Sequence, residues 1–589
     1  MLRICKYLSK QEIAELVLGV VLVVTQVWFD LKLPDYMSDV TRIVETPNSK
    51  VSDVWTAGGK MLLISLGSIA CAVATGFIAA RVSATFTQRL RSLEFKQVES
   101  FSTEELGKFS TASLITRSTN DITQIQMFIT MGLTLIVRAP VMAVWAVLKI
   151  AGKGFEWTVA TGIAVAFLVV AIAILMAMVG PKFRSMQRLT DNINLVAREN
   201  LTGLRVVRAY NAEDYQEEKF DEANTDLTST QLFTNRAIAF LMPLMNTVLN
   251  GLMLAVYWIG AYLIEQATIA NKLTLFSNMV VFSSYSVQVI MGFLLMSMVF
   301  VLLPRANVSA QRVLEVLDTP ISITDGSVEQ GEADQQGSVE LRNMGFKYPD
   351  AKHNVLDNIS FKVSKGQTIA FIGATGSGKS TLINLIPRFY DATEGQVLVD
   401  GVNVKDYKLS ALRDKIGYVP QESFLFRGTV ESNIAYGAKA NNVSEERKKA
   451  GIETAASIAH ATEFVEKMPE GFDSPIAQSG SNVSGGQKQR LSIARAVWSK
   501  PEILIFDDSF SALDFKTDRE VRDALARETK GSTVMIVAQR IGTIMNADMI
   551  VVLDQGRIVG MGTHKELLDS CEIYRQIAES QLSAKELVD

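Results

Sequence analysis

Six apolar stretches, each long enough to cross a bilayer, crowd into the first 310 residues and dictate what this half of the chain can become. They cover about 13–33, 57–82, 128–151, 157–180, 238–265 and 275–303. A helix needs roughly 20 largely apolar residues to bridge the hydrocarbon core, and lipid offers the backbone no hydrogen bonds. An all-α membrane domain over residues 1–310 follows. The first stretch comes after Arg3, Lys6 and Lys10, lacks a small-residue cleavage site and has five spans behind it, so it reads as an uncleaved anchor. Ahead of it, MLRICKYLSK mixes Leu2, Ile4, Tyr7 and Leu8 with basic residues, which suits a short helix lying in the interface.

Orientation follows from the basic residues near the span ends. Residues 183–237 carry Arg184, Arg188, Arg198, Arg205, Arg208, Lys219 and Arg236, whereas the loops at 152–156 and 266–274 hold one lysine each. The long connections and the N-terminus therefore belong on the cytoplasmic side. Because 83–127 and 183–237 keep a helical apolar period, the spans should continue as helices well beyond the bilayer. Tips of these hairpins are expected near 113–121 and 208–220, where charges interrupt the pattern.

Polar side chains inside a span are costly and face a cavity or a neighbouring helix. Arg138, Asn246, Asn250 and Gln288 are the candidates for lining a substrate cavity; the plainer alternative is that they join helices or stabilise a helix end. Methionines 279, 291, 296 and 298 make the sixth span adaptable, as promiscuous apolar pockets are, although methionine also fills ordinary cores.

Past residue 310 the composition changes. Residues 311–337 end in DTPISITDGSVEQGEADQQG, a Gly- and acid-rich tether. From 338 to 589, short β-branched runs at 368–373, 396–400, 416–420, 503–507, 533–537 and 549–553 alternate with helical segments, giving an α/β domain around a largely parallel sheet. Over the whole chain 58 basic residues nearly balance 62 acidic ones, a net charge of −4, so nothing recruits nucleic acid. Cys5, Cys71 and Cys571 are too dispersed for a disulfide framework, and His353, His460 and His564 for a metal cluster.

The strand TIAFIG runs straight into GATGSGKS and then an apolar helix start, which satisfies the phosphate-loop pattern in its proper strand–loop–helix setting. Here Gly373, Ala374, Thr375, Gly376, Ser377 and Gly378 offer backbone N–H groups to phosphate oxygens, Lys379 reaches the β- and γ-phosphates, and Ser380 can ligate Mg²⁺ beside Thr381. A second apolar strand, ILIFDD, ends in Asp507, placed to hold Mg²⁺ through water, and Asp508, placed where a carboxylate orients the attacking water. Between the two lies VSGGQ (483–487) at the head of a basic helix.

With these motifs in this order, the chain closely resembles the ATP-binding cassette exporters over essentially its full length. The resemblance implies a six-helix transmembrane domain followed by an α/β nucleotide-binding domain, with ATP and Mg²⁺ as cofactors and a cell-membrane location. It assigns adenine stacking to Tyr348, a metal-linked loop to Gln421, the signature to Ser484, Gly485, Gly486 and Gln487, and the D-loop to Ser511, Ala512, Leu513 and Asp514. It also implies that two cassettes pair head to tail, so that this signature acts on a nucleotide held by a partner chain.

Two positions depart from the family pattern: Asp508 stands where a glutamate is usual, and Gln539 where a histidine is usual; Gln478 also replaces a common acidic residue. The expectation is a degenerate ATP site in one half of a heterodimeric multidrug-type exporter, whose partner is a second, non-identical half-transporter. A lipid or peptide transporter of the same build, or a regulatory subunit clamped by ATP, is the alternative.

Overall fold

The computed structural model describes residues 2–46, 50–150, 154–349, 351–437 and 443–582. The chain divides into two compact units, one of Met1–Glu99 with Ser110–Thr319, the other of Ser100–Phe109 with Pro320–Asp589.

In the first unit, α1 (Lys10–Glu45) starts at a capping box in which Ser9 and Glu12 bond each other's backbone N–H groups. It is followed by α2 (Val51–Glu99) and, after the detour of α3 (Thr103–Lys108) in the other unit, by α4 (Thr111–Thr116). A π turn, Arg117–Asp121, leads into α5 (Ile122–Ile150), and α6 (Phe155–Thr202), α7 (Leu204–Ala209), α8 (Glu213–Gln266) and α9 (Ile269–Leu317) complete the unit. Among the described residues, six helices are long and apolar enough to cross a membrane, and each holds one of the expected stretches. The chain is a multi-pass membrane protein. At 1.5 Å per residue, the 54 residues of α8 span about 80 Å against roughly 30 Å of hydrocarbon, so long helical extensions leave the bilayer as expected. Residues 152 and 153 of the loop expected at 152–156 lie outside the described residues.

The first hairpin tip differs from expectation, and the second lies at the front of its expected range. The first reversal is at 100–110, around α3, while 113–121 forms α4 and the π turn. Arg117 and Asp121 do not mark a solvated loop; they are buried and pair with Glu315 and Arg312 of α9, so ion pairing inside the helical bundle imitated a loop signal in the sequence. The second reversal falls at 203–212, where Gly203 ends α6 and Asn211 takes a positive φ of 49°; residues 213–220 already belong to α8.

Residues 320–337 are a strap rather than a loose tether. Val328 bridges Tyr407 in parallel, and Gly326, Ser327, Val328 and Glu332 donate backbone N–H groups to Tyr407, Asp406 and Asp400 carbonyls. Helix α9 also runs seven residues past 310, to Leu317.

The second unit contains β1 (Val339–Phe346), β2 (Leu356–Val363), β3 (Thr368–Ile372), β4 (Glu394–Val399), β5 (Val402–Asn403), β6 (Ile416–Val419), β7 (Gly428–Thr429), β8 (Pro475–Ile476), β9 (Ile503–Asp507), β10 (Thr533–Val537), β11 (Met549–Asp554) and β12 (Arg557–Gly562). The central sheet has the order β12-β11-β3-β10-β9-β6, parallel throughout except for the β12 edge. A second, antiparallel sheet, β2-β1-β4-β5, covers it. Because β3, β6, β9 and β10 run parallel, their carboxyl ends share one edge, the place where open α/β sheets bind ligands.

Candidate functional site

That edge gathers the cassette motifs. Strand β3 delivers the phosphate loop, β6 delivers Gln421 two residues past its end, β9 ends in Asp507, and β10 leads to Gln539. Gly373, Gly376 and Gly378 have φ of 155°, 85° and 99°, and the last two lie in a region that side chains resist. A Cβ on Gly373 would strike the Leu553 carbonyl oxygen and one on Gly378 would come 2.7 Å from Leu356, whereas one on Gly376 would meet nothing within 4 Å. The loop is thus pinned at both ends and open in the middle, where Ala374, Thr375 and Gly376 are exposed.

Lys379, the first residue of α10 (Lys379–Asn384), folds back to donate to the Gly373 and Ala374 carbonyls, both at 2.9 Å, and approaches Ser377 Oγ at 3.5 Å. Burial pushes its ammonium pKa down, opposed by Asp508 and Asp507. Ser380 Oγ donates to Asp507 Oδ1 at 2.9 Å. Burial raises the Asp507 carboxyl despite that bond. A hydroxyl and a carboxylate in contact form the all-oxygen donor set that a hard divalent cation prefers, so Ser380 and Asp507 fit Mg²⁺, and Gln421 is exposed at the same sheet edge. Bound Mg²⁺ supplies charge neutralisation for phosphate oxygens.

Beside α10, the Tyr348 hydroxyl shares a 3.0 Å hydrogen bond with Thr381 Oγ1, and its ring meets Phe346 and Tyr390 edge-on at 4.8 and 5.4 Å. This aromatic cluster holds the half-buried Tyr348 ring beside the loop.

Asp508 has left-handed backbone, φ 47°, with its N–H donated to the Val537 carbonyl and its own carbonyl accepting from Ser511 Oγ. Gln539 Nε2 donates to Asp508 Oδ2 at 2.8 Å. Burial raises the Asp508 carboxyl, while Ser511, Gln539, Lys379 and Arg540 oppose the rise. Sequence reading missed the brace behind this pair: Gln581 donates to the Gln539 carbonyl and accepts from the Ile541 N–H, each at 2.8 Å. No motif signals it, since Gln581 lies 42 residues away at the end of the last described helix.

Ser484 caps the helix Gly485–Trp498 in a reciprocal box with Gln487, leaving Gly485 and Gly486 as its first two residues. A Cβ on Gly485 would meet nothing within 4 Å, and one on Gly486 would come 3.4 Å from the Ala512 carbonyl, so signature and D-loop lie against each other. Leu513 is buried, Ser511 and Ala512 are exposed, and Asp514 caps the next helix through the Thr517 N–H and hydroxyl, bonds that lower its carboxyl pKa.

Within the spans, Arg138 and Gln288 meet at one residue that sequence reading did not select. Asp30 takes Arg138 Nη2 on Oδ2 at 3.1 Å and the Ser68 hydroxyl on Oδ1 at 2.5 Å. Pro34 has no N–H to offer the Asp30 carbonyl one turn earlier, and Gln288 Nε2 serves that carbonyl at 3.3 Å. One turn on, Asp35 pairs with Lys149 at 2.8 Å and accepts from the Tyr285 hydroxyl at 2.9 Å. Asn246 and Asn250 lie elsewhere, on an exposed face of α8.

Two family models match: the ABC transporter transmembrane region over residues 12–293 and the ABC transporter cassette over 356–511. An ABC transporter ATP-binding protein of Mycobacterium tuberculosis is 39% identical over 525 residues, 89% of this chain and 88% of that one. An ATP-dependent lipid A-core flippase of Pseudomonas aeruginosa is 34% identical over 84% of this chain and 79% of its own. A bacterial Atm1-family ABC exporter with ATP bound superposes with a TM-score of 0.79 at 25% identity, covering 98% of this chain and 99% of the other. The spans, the cassette edge and these likenesses agree: the chain belongs to the ABC transporter family, as an exporter half-transporter that joins one membrane domain to one ATPase cassette.

Proposed function

We propose that this chain is the degenerate half of a heterodimeric exporter that expels hydrophobic or amphipathic compounds, with cassette and N-terminus on the cytoplasmic side. The hydrogen bond from Gln539 to Asp508 carries the reading. Aspartate is one methylene shorter than the usual glutamate and sits about 1.5 Å back from the water position, a displacement that costs about 10²-fold in rate. Its Oδ2 is moreover committed to an amide that stays neutral where a histidine could become a cation. A homodimer would carry the defect twice. The signature, by contrast, is complete and its Gly485 is unobstructed, which suits service to a nucleotide on a second, non-identical half-transporter. The likeness to a lipid A-core flippase supports a second reading, a lipid substrate handled by the same machinery.

The test compares Gly485→Asp with Asp508→Asn in the assembled transporter in membranes, scoring substrate-stimulated phosphate release. Gly485→Asp places negative charge where the partner's γ-phosphate is to be held and should abolish most release; Asp508→Asn should be mild. Equal damage from both would make this site catalytic and remove the case for asymmetry. Release that no hydrophobic compound or lipid stimulates would point instead to a regulatory, ATP-clamped subunit.

A further inference from the structure

Where α2, the π turn and α9 pack together, Glu94 is fully buried, and neither carboxyl oxygen has a hydrogen-bond partner. A buried polar group without a partner is costly, the more so when charged, so Glu94 needs a reason to be there. The charged groups that act on it are Arg117 and Asp121, both from the π turn. Asp121 is engaged by Ser309 Oγ at 2.8 Å and Arg312 at 3.3 Å. Arg117 bonds Ser113 Oγ at 3.1 Å, the Arg312 carbonyl at 2.7 Å and Glu315 at 2.6 Å. Glu315 is 59% exposed at its side chain, and ion pairs with one exposed partner are weak. One arginine therefore has two carboxyls to choose between, a solvated one on α9 that it holds and a buried one on α2 that lacks a donor.

The link at this point is the π turn Arg117–Asp121, which carries one residue more than an α turn, a feature frequent at functional sites. Helix α4 precedes the turn, and the ten residues before it, Ser100–Phe109, belong to the cassette unit. Along the chain, those ten residues connect to α5 through Ser110, α4 and the turn that bears Arg117.

We infer that Glu94 is the second acceptor for Arg117, and that exchange of Glu315 for Glu94 couples displacement of the 100–116 segment to α5 and α9. The inference rests on the exporter architecture and not on heterodimer asymmetry, so the two stand or fall separately.

The test is run on the assembled transporter and needs no nucleotide. Spin labels at Ile115→Cys and Val308→Cys, both exposed, report the distance between α4 and α9 within one chain in lipid nanodiscs, with Cys5, Cys71 and Cys571 replaced by alanine or serine. Glu315→Gln removes the charge of the present acceptor and should bring up a second distance as the major component. Glu315→Asp, which keeps the charge, should restore the first. Glu94→Gln alone should leave the distribution and the melting temperature unchanged, because no bond is lost. Glu94→Gln with Glu315→Gln should lose the second distance. Wild-type distances in Glu315→Gln, or an unaltered second distance in the double variant, would overturn the inference.

Discussion

Gln539 holds Asp508 by a single 2.8 Å hydrogen bond, and Gln581 in turn holds Gln539, so the two residues that break the family pattern are also bonded to each other. The Gln539 amide occupies Asp508 Oδ2, one of the two carboxylate oxygens.

Restoring both members together should raise ATP turnover at this site, while Asp508→Glu or Gln539→His alone should gain little, because groups acting in one transition state are not additive. Steady-state phosphate release from the double variant, against each single one, measures the coupling. An additive pair of gains would show that the two positions act independently.

Lys379→Ala should weaken ATP binding by removing the ammonium of the phosphate loop, and transport should fall without vanishing if the partner's nucleotide turns over faster. Gly376→Ala probes the open centre of the same loop. Its φ of 85° costs about 1–2 kcal/mol for a residue with a Cβ, and the added methyl meets no protein atom, so nucleotide affinity should drop more than the melting temperature. Gly373→Ala should do the reverse, since its methyl collides with the Leu553 carbonyl. Fluorescent-nucleotide titration beside thermal melts separates the two.

The strong motifs were readable because each is a local string whose chemistry fixes its residues; phosphate loop, Asp507 and signature all sit on the elements their spacing implied. Spans were equally plain, since length and apolarity suffice. What escaped was long-range. Asp30 carries no signal beyond one acid in an apolar run, and only Pro34, Arg138, Ser68 and Gln288 give it meaning. Arg117 and Asp121 misled, because charges paired to a neighbouring helix and charges in a solvated loop look alike in one dimension. Strands β2 and β12 were missed for a similar reason: their alternation is broken by Asn358 at positive φ and by glycines 560 and 562.

In the spans, Arg138→Leu should destabilise the membrane domain by roughly 1–3 kcal/mol, below the 3–5 of a fully buried pair because both partners keep some exposure. Adding Asp30→Asn should recover much of the loss by removing the orphaned charge. Melting temperatures in detergent give the comparison, and no recovery would mean that Asp30 is paired mainly through Ser68.

Acid should loosen the contact at α3. Burial alone would raise the Glu105 carboxyl, but bonds from Ser102 and Ser322 outweigh it and hold the group below the ordinary carboxylate range. Such an acid adds stability above the unfolded value of about 4, and that gain is lost as pH falls through the folded value. Glu105→Ala should therefore lower the melting temperature at neutral pH, by about 1 kcal/mol for a lost cap, with the gap to wild type closing in acid. A gap independent of pH would assign the effect to packing.

The strand of chain that Glu105 anchors has a consequence for how such proteins can be taken apart. Ser100–Phe109 completes the cassette unit from within the sequence of the membrane domain, so no single cut separates the two. A cassette expressed from residue 320 onward leaves Ser322 facing the space where Glu105 belongs, and a chimera that exchanges cassettes at that point splits a folding unit. Modules that recombine cleanly in this chain must be traded with the ten-residue insert, which makes the exporter one interlaced object rather than a motor bolted to a channel.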